Sequence, residues 1–175
     1  MCKFLLPKDE IHYIKYFTAL VTARRNDPDK PSRQQTFLRA LRTIPNLEII
    51  LGTFLSHEVT MPLAPPNRGY AKVIKTEEKG SAVNIATHLL VDGFRDGYEL
   101  AVVISNGSDL LEPIKFVTRE LGKPVGILNP HKHPSVELSL NALFLKQIRK
   151  SVLANSLFPD VLTDGQGTFS KPAGW

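Results

Sequence analysis

The chain has 175 residues, of which 42% are apolar, and this size and composition suit one domain with its own core. No stretch approaches the roughly 18 uninterrupted apolar residues of a membrane span, no signal-peptide pattern opens the sequence, and a single cysteine, Cys2, excludes internal disulfides and thiolate zinc sites. We therefore expect a cytoplasmic protein without membrane contact, and its net charge of +5 modestly favours a polyanionic partner.

Predicted strands alternate with amphipathic helices in the first part of the chain. A β-branched and aromatic run from Ile11 predicts a strand. The apolar spacing that follows predicts a helix opened by a capping box of Ser32 and Gln35. A second strand is expected from Leu47, and residues 56–70 are expected to form a proline-rich loop.

The alternation continues beyond this loop. A short strand at 71–75 leads into a helix that Ser81 is expected to cap. A buried strand then precedes the polar run Ser105–Asp109, and the next helix is expected to end at Gly122 in a left-handed cap. A further strand at 124–128 follows.

The last part of the chain is expected to hold one more helix and a tail that either wraps the surface or stays loose. Residues 135–156 repeat apolar side chains at helical spacing, and residues 158–175 are rich in glycine and proline. Strands that alternate with helices predict an α/β fold, a three-layer sandwich around one mainly parallel sheet. The predicted domain covers residues 1–157, and the tail covers residues 158–175.

Two polar loops are candidates for a site. In a parallel sheet the loops after the strands meet at one edge, so "TEEKGSA" and "SNGSD" are expected to face each other across a crevice. Glu78 and Asp109, with Glu77, carry carboxylates that suit Mg²⁺ or Mn²⁺, and two such ions can promote phosphodiester hydrolysis. The alternative is structural: Asp109 complements the dipole of its helix, Glu77 and Glu78 are solvated, and Ser81 and Ser108 are helix caps.

Basic residues gather at several points along the chain, where they either contact phosphates or form an ordinary solvated surface. These clusters are Arg24 with Arg25, Arg39 with Arg42, residues 131–133, and Lys146 with Arg149 and Lys150. His88 is expected to be a packed or surface residue and not a metal ligand.

The segment "KTEEKGSAVNIATHLLVDGFRDGYELAVVISNGSDLLEPI" resembles the NYN domain, a bacterial branch of the PIN-like nucleases, and the similarity extends over nearly the whole chain. The resemblance implies a parallel α/β sheet whose acidic residues bind Mg²⁺ or Mn²⁺ for RNA cleavage. It implies a catalytic and metal-binding role for Glu78 and Asp109. It also implies RNA contacts for four further residues, which are Lys79, Ser105, Asn106 and Ser108.

The chain departs from the family pattern at acidic positions. The family motifs are close to E-K-G-x-D and S-x-D-S-D, but Ala82 and Gly107 stand where each motif has an aspartate. A weaker match to an A-D-F motif at residues 142–144 also lacks its acid. The family's first strand, which ends in D-G-x-N and is central in its sheet, has no counterpart, so the resemblance implies a domain that is incomplete at its amino terminus.

Three functional hypotheses follow. The first is a NYN-fold protein of ribonuclease ancestry with a degenerate active site, weak or absent catalysis and retained RNA binding. The second is an active single-metal endoribonuclease that uses Asp109 and Glu78. The third is a non-enzymatic interaction module, in which an exposed sheet edge pairs with a partner or with another copy to form a homo-oligomer.

Overall fold

The computed structural model describes residues 1–173, which form helices and strands that alternate except at two antiparallel strand pairs. The helices are α1 (Cys2–Leu5), α2 (Lys30–Arg42), α3 (Ser81–Phe94), α4 (Leu111–Arg119), α5 (Val136–Asn141) and α6 (Lys150–Ala154), with a 3-10 turn at Ser108–Leu110. The strands are β1 (Ile14–Ala19), β2 (Leu47–Pro62), β3 (Tyr70–Lys79), β4 (Ala101–Ile104), β5 (Val125–Asn129), β6 (Phe144–Gln147), β7 (Val161–Asp164) and β8 (Gly167–Ser170).

The α/β class is confirmed, but the described strands are divided among three sheets, whereas the sequence predicts one mainly parallel sheet. The first has the order β1-β2-β3, with β1 parallel and β3 antiparallel to β2. The second has the order β4-β5-β6 and is entirely parallel. The third is the antiparallel hairpin of β7 and β8. None of the helices in residues 1–173 is long and apolar enough to cross a membrane.

Strands β1 and β4 each end a sheet with an unpaired edge within the described part of the chain. The Ile14 N–H donates to Asn46 O and the Ala101 N–H donates to Pro124 O, toward β2 and β5 respectively. Because N–H direction alternates along a strand, the N–H groups of Phe17 and Val102 point to the unpaired edges. Helix α3 packs against β1 and also joins the core of the second sheet, so it links the two.

Most of the buried apolar surface lies around the second sheet. All five residues of β5 are buried, and the main core cluster surrounds this strand with side chains from α3, β4, the 3-10 turn, α4 and α5. A smaller cluster on the second sheet joins Leu6, Leu128 and Ile148. The first sheet contributes fewer buried residues, chiefly Ala19 and, from α2, Leu38 and Leu41.

A two-stranded arm, residues 53–79, replaces most of the predicted loop. Strand β2 pairs with β3 from Thr53 opposite Lys79 to Pro62 opposite Tyr70, so only residues 63–69 form the connection. The loop prediction for residues 56–70 was wrong because the prolines cluster at the tip, while the residues before them are able to extend as a strand.

Residues 135–156 are not one helix. Strand β6 separates α5 from α6, and it pairs with β5 from Gly126 opposite Phe144 to Asn129 opposite Gln147. The apolar spacing fits a helix, but pairing with the buried β5 overrides this local signal. The capping box was also wrong, because α2 begins at Lys30 and Ser32 lies inside it.

The tail forms the hairpin of β7 and β8, which agrees with the surface-wrapping alternative and not with the loose one. Its last two residues lie outside the described part. Arg39 of α2 donates two hydrogen bonds of 2.7 Å to the carboxylate of Asp164 and lies over the ring of Phe169. The Arg39 guanidinium lowers the pKa of Asp164 to about 2. The hairpin is therefore fastened to α2, while a domain boundary at residue 157 stays a prediction.

Candidate functional site

Glu78 lies at the end of β3 and closes the amino end of α3. Its Oε1 accepts a hydrogen bond of 3.1 Å from the Ser81 backbone N–H and one of 2.7 Å from the Ser81 hydroxyl. The prediction that Ser81 caps the helix was wrong: Ser81 is the first helical residue, and Gly80 occupies the cap position with a positive φ of 100°. Glu78 thus satisfies a backbone N–H that the helix itself leaves without a partner.

Gly52 of β2 makes this arrangement possible. A β-carbon at residue 52 would lie 2.7 Å from Glu78 Oε1 and 2.7 Å from the Lys79 carbonyl oxygen. Any larger residue would therefore displace the carboxylate from the helix end. Gly52 was not among the residues predicted for the site, although a glycine inside a strand is a signal of close backbone approach.

The neighbouring charges are already paired. Glu77 lies between Lys75 and Lys79, with nitrogen-to-oxygen distances of 2.6 Å and 3.2 Å. Hydrogen bonds from Lys75 and then from Lys79 lower the pKa of Glu77. Both lysines neutralise Glu77. Glu77 could therefore bind a metal ion, and Lys79 could bind a phosphate, only if these ion pairs were broken.

The polar turn after β4 has one acidic side chain. The Ser105 hydroxyl accepts a hydrogen bond of 3.1 Å from the Gly107 N–H, and Ser108 opens the 3-10 turn. The Asp109 side chain is exposed and has no hydrogen bond or ion pair with any residue in the described range 1–173. Its carboxylate is therefore accessible to a ligand from solvent.

Asn106 fastens this turn to the loop at residues 131–135. Its side-chain amide donates to the His133 carbonyl oxygen at 3.0 Å, and its Oδ1 accepts from the Ser135 N–H at 2.7 Å. From beneath the same loop, the fully buried Asn129 donates to the His131 carbonyl oxygen at 2.8 Å and accepts from the His131 N–H at 3.0 Å. The side chains of residues 131–133 remain exposed.

The structure therefore brings part of the predicted site together. Ser105, Asn106, Ser108 and Asp109 share one turn, and the loop 131–135 lies beside it, at the carboxyl ends of β4 and β5. Glu78 and Asp109 share no hydrogen-bond or ion-pair partner among the described residues. Within residues 1–173, no group of three or more His, Cys, Asp or Glu side chains could hold a metal ion. The Lys15 ammonium donates a hydrogen bond of 2.9 Å to His88 Nδ1, and the His88 ring packs on Phe17.

Substitution of Glu78 should separate its role at the helix end from any role of its charge. We expect Glu78→Ala to lower the free energy of unfolding by about 1 kcal/mol, since it removes a capping acceptor. We expect Glu78→Gln to retain most of this stability because the amide oxygen also accepts hydrogen bonds. Urea unfolding measures both, with the exposed Glu120→Ala as the control. Equal stability of the Ala variant and the wild type would contradict the capping role.

Comparisons with known proteins give limited similarity. No family model matches the chain. It is 24% identical over 178 aligned residues to 6-hydroxy-3-succinoylpyridine 3-monooxygenase HspA from Pseudomonas putida, an alignment that covers 93% of this chain and 57% of that protein. The chain thus spans little more than half the length of this relative.

A solved structure with a similar fold comes from Vibrio parahaemolyticus. It is a protein of unknown function, VPA0982, with a TM-score of 0.53 and 17% sequence identity. The match covers 84% of this chain and 76% of that one. This supports the α/β fold and carries no functional assignment.

Proposed function

We propose that the protein is a NYN-type domain of PIN-like ribonuclease ancestry that binds RNA and hydrolyses it weakly or not at all. The observation that carries the proposal is the fixed pairing of the turn Ser105–Asp109 with the loop 131–135 at the carboxyl edge of the second sheet. In open α/β sheets, ligands bind at this edge.

The chemistry of the paired loops favours a phosphate-bearing ligand. Lys132 provides an exposed cation, and His131 and His133 provide exposed imidazoles on a loop whose backbone is held in place. The hydroxyl of Ser108 is also exposed on the facing turn. Hydroxyl, imidazole and ammonium groups are suited to phosphate and sugar contacts, which position nucleic acids without reading sequence.

The same residues fit a two-metal site poorly. Asp109 is an unpaired carboxylate, whereas Glu78 is engaged at the helix end, and Ala82 and Gly107 offer no ligand. A hydrated Mg²⁺ or Mn²⁺ ion can be held by one or two carboxylates together with phosphate oxygens. Such binding would be weak, so we expect RNA binding without efficient catalysis, and a single-metal enzyme is the alternative.

The divided sheet supports the PIN-like part of the proposal. The mixed first sheet ends on β1, the parallel second sheet ends on β4, and α3 packs against both. A PIN-like sheet that lacks its central strand would leave two unpaired edges of this kind.

RNA binding and cleavage are tested with the purified chain. Anisotropy of a labelled single-stranded RNA should show salt-sensitive binding, and Lys132→Ala should weaken it and reduce the logarithmic salt slope by about 0.7, the contribution of one phosphate contact. Lys171→Ala, an exposed lysine beyond the tail hairpin, is the matched control. Absence of binding, or equal losses in both variants, would overturn RNA binding at this edge.

Cleavage of the same RNA in Mg²⁺ or Mn²⁺ decides between the first two hypotheses. We expect slow or undetectable hydrolysis. Rapid turnover that is abolished by Asp109→Ala would overturn the inactive assignment and establish the single-metal enzyme.

The similarity to HspA supports a second candidate, oxygenation of a hydroxypyridine. A monooxygenase inserts one atom of O₂ into its substrate and reduces the other to water, so it needs two electrons from a reductant. Oxygen uptake with 6-hydroxy-3-succinoylpyridine and an added two-electron reductant is the test of this candidate. Substrate-dependent uptake above the rate of the reductant alone would favour it over RNA binding.

A further inference from the structure

The arm, residues 53–79, has an unpaired edge that carries charges of both signs. Strand β3 pairs with β2, and no other strand in the described part of the chain pairs with its outer edge. Several large apolar side chains of the arm are also exposed, most of all Ile74 at 79% and Tyr70 at 75%. A two-stranded hairpin is only marginally stable in water, so further pairing would stabilise this arm.

Backbone direction along β3 determines which residues can form that pairing. The Leu63 N–H donates to the Gly69 carbonyl oxygen, so the main-chain groups of Gly69 point toward β2. Because direction alternates along a strand, odd-numbered residues of β3 face β2 and even-numbered residues face outward. Ile74, Thr76 and Glu78 therefore present their backbone N–H and C=O groups at the unpaired edge.

We propose that β3 pairs antiparallel with β3 of a second copy of this chain, about a two-fold axis at Thr76. In this register Lys75 of each copy lies opposite Glu77 of the other. The result is a continuous four-stranded sheet of two arms. A two-fold interface is self-complementary in this way, since residue i contacts j and j contacts i.

The charges select this register over its neighbours. Centring the axis on Lys75 would place two lysines directly opposite each other, which is destabilising. Centring it on Ile74 would place Lys75 opposite Val73 and form no directly opposite charge pair. With Thr76 on the axis, two Lys75–Glu77 pairs form, and two threonines, which pair favourably across strands, meet at the centre.

Lysines on an edge strand can also prevent pairing with other chains. On β3, however, Lys75 and Lys79 already bind Glu77 within the same strand, so the edge is not uniformly cationic. Pairing in the proposed register lets Glu77 contact a lysine of each copy.

Light scattering over a wide range of protein concentration tests the association. We expect dimers at high concentration. Thr76→Pro should raise the dimer dissociation constant at least about ten-fold, because it removes the two reciprocal hydrogen bonds on the axis, while the outward N–H of Thr76 is not needed for pairing with β2. A monomer at all concentrations, or a dimer that Thr76→Pro leaves intact, would overturn the proposal.

Charge exchange and cross-linking test the register. Lys75→Glu alone should weaken the dimer, and Lys75→Glu with Glu77→Lys should restore it. In a Cys2→Ser background, Thr76→Cys should form a disulfide-linked dimer on oxidation, since paired residues on the axis meet disulfide geometry. Ile74→Cys should not, because the two copies of residue 74 would lie about 14 Å apart. Cross-linking through residue 74 and not 76 would overturn the register.

Discussion

Gly126→Ala should lower the free energy of unfolding by about 1–3 kcal/mol, the cost of inserting one methyl group into a well-packed site. Gly126 lies in β5, the central strand of the second sheet, and the ring of Phe144 in β6 lies across it. A β-carbon at residue 126 would be 2.6 Å from Phe144 Cε1 and 2.7 Å from Cε2. The Phe144 ring must then move. Because every residue of β5 is buried, the packing beside this strand leaves little space for that movement. Urea or thermal unfolding measures the change.

A double-mutant cycle identifies the ring as the cause. If Phe144 produces the strain, Gly126→Ala should cost less in a Phe144→Ala background than in the wild type. Gly165→Ala is the matched control, because a β-carbon there would have no neighbouring atom within 4 Å. An equal cost for Gly126→Ala in both backgrounds would contradict the steric explanation.

If the proposed NYN-type assignment is right, placing aspartates at positions 82 and 107 should create a metal site. We expect the Ala82→Asp/Gly107→Asp double variant to bind Mg²⁺ or Mn²⁺ at least 10 to 100-fold more tightly than the wild type, since even changes beyond the direct ligands have effects of about this size. Both positions accept aspartate: Ala82 is exposed in the first turn of α3, and Gly107 has an ordinary φ of −73°. An acid in a first helical turn is also favourable.

Calorimetry with each metal, followed by RNA cleavage, measures this gain. The Ala82→Asn/Gly107→Asn variant controls for side-chain size without the charge. We expect hydrolysis to appear in the aspartate variant and to disappear when Asp109→Ala is added. Equal metal affinity of the Asp and Asn variants would contradict the proposed NYN-type metal site.

The order of the elements was largely predictable, because apolar periodicity reports local burial. The strands that begin near Ile14 and Leu47, the helix after Gly80 and the left-handed Gly122, with a φ of 64°, all agree with the sequence analysis. The assignments that failed depend on partners distant in the chain. Strand β6 has helical spacing and becomes a strand only because β5 offers it a buried edge.

The residues of the candidate site were partly predictable, but the hydrogen bonds that hold them were not. The sequence placed Asp109 in a turn after a buried strand, where it lies. It could not show that Glu78 accepts hydrogen bonds at the amino end of α3, since this depends on the space left by Gly52, 26 residues earlier. Nor could it show that Asn106 holds the loop 131–135, because the hydrogen bonds involved join segments that are distant in the sequence.

The uneven burial of the two larger sheets has a consequence for how the native state opens. Amide exchange at the slowest rates should be confined to β5 and the helices around it, where buried side chains surround a strand paired on both sides. The segment from β1 to the arm, with fewer buried contacts, should exchange through sub-global openings of lower free energy. Unfolding would then begin at the amino-terminal half, while the parallel sheet of β4, β5 and β6 persists as a separate cooperative unit.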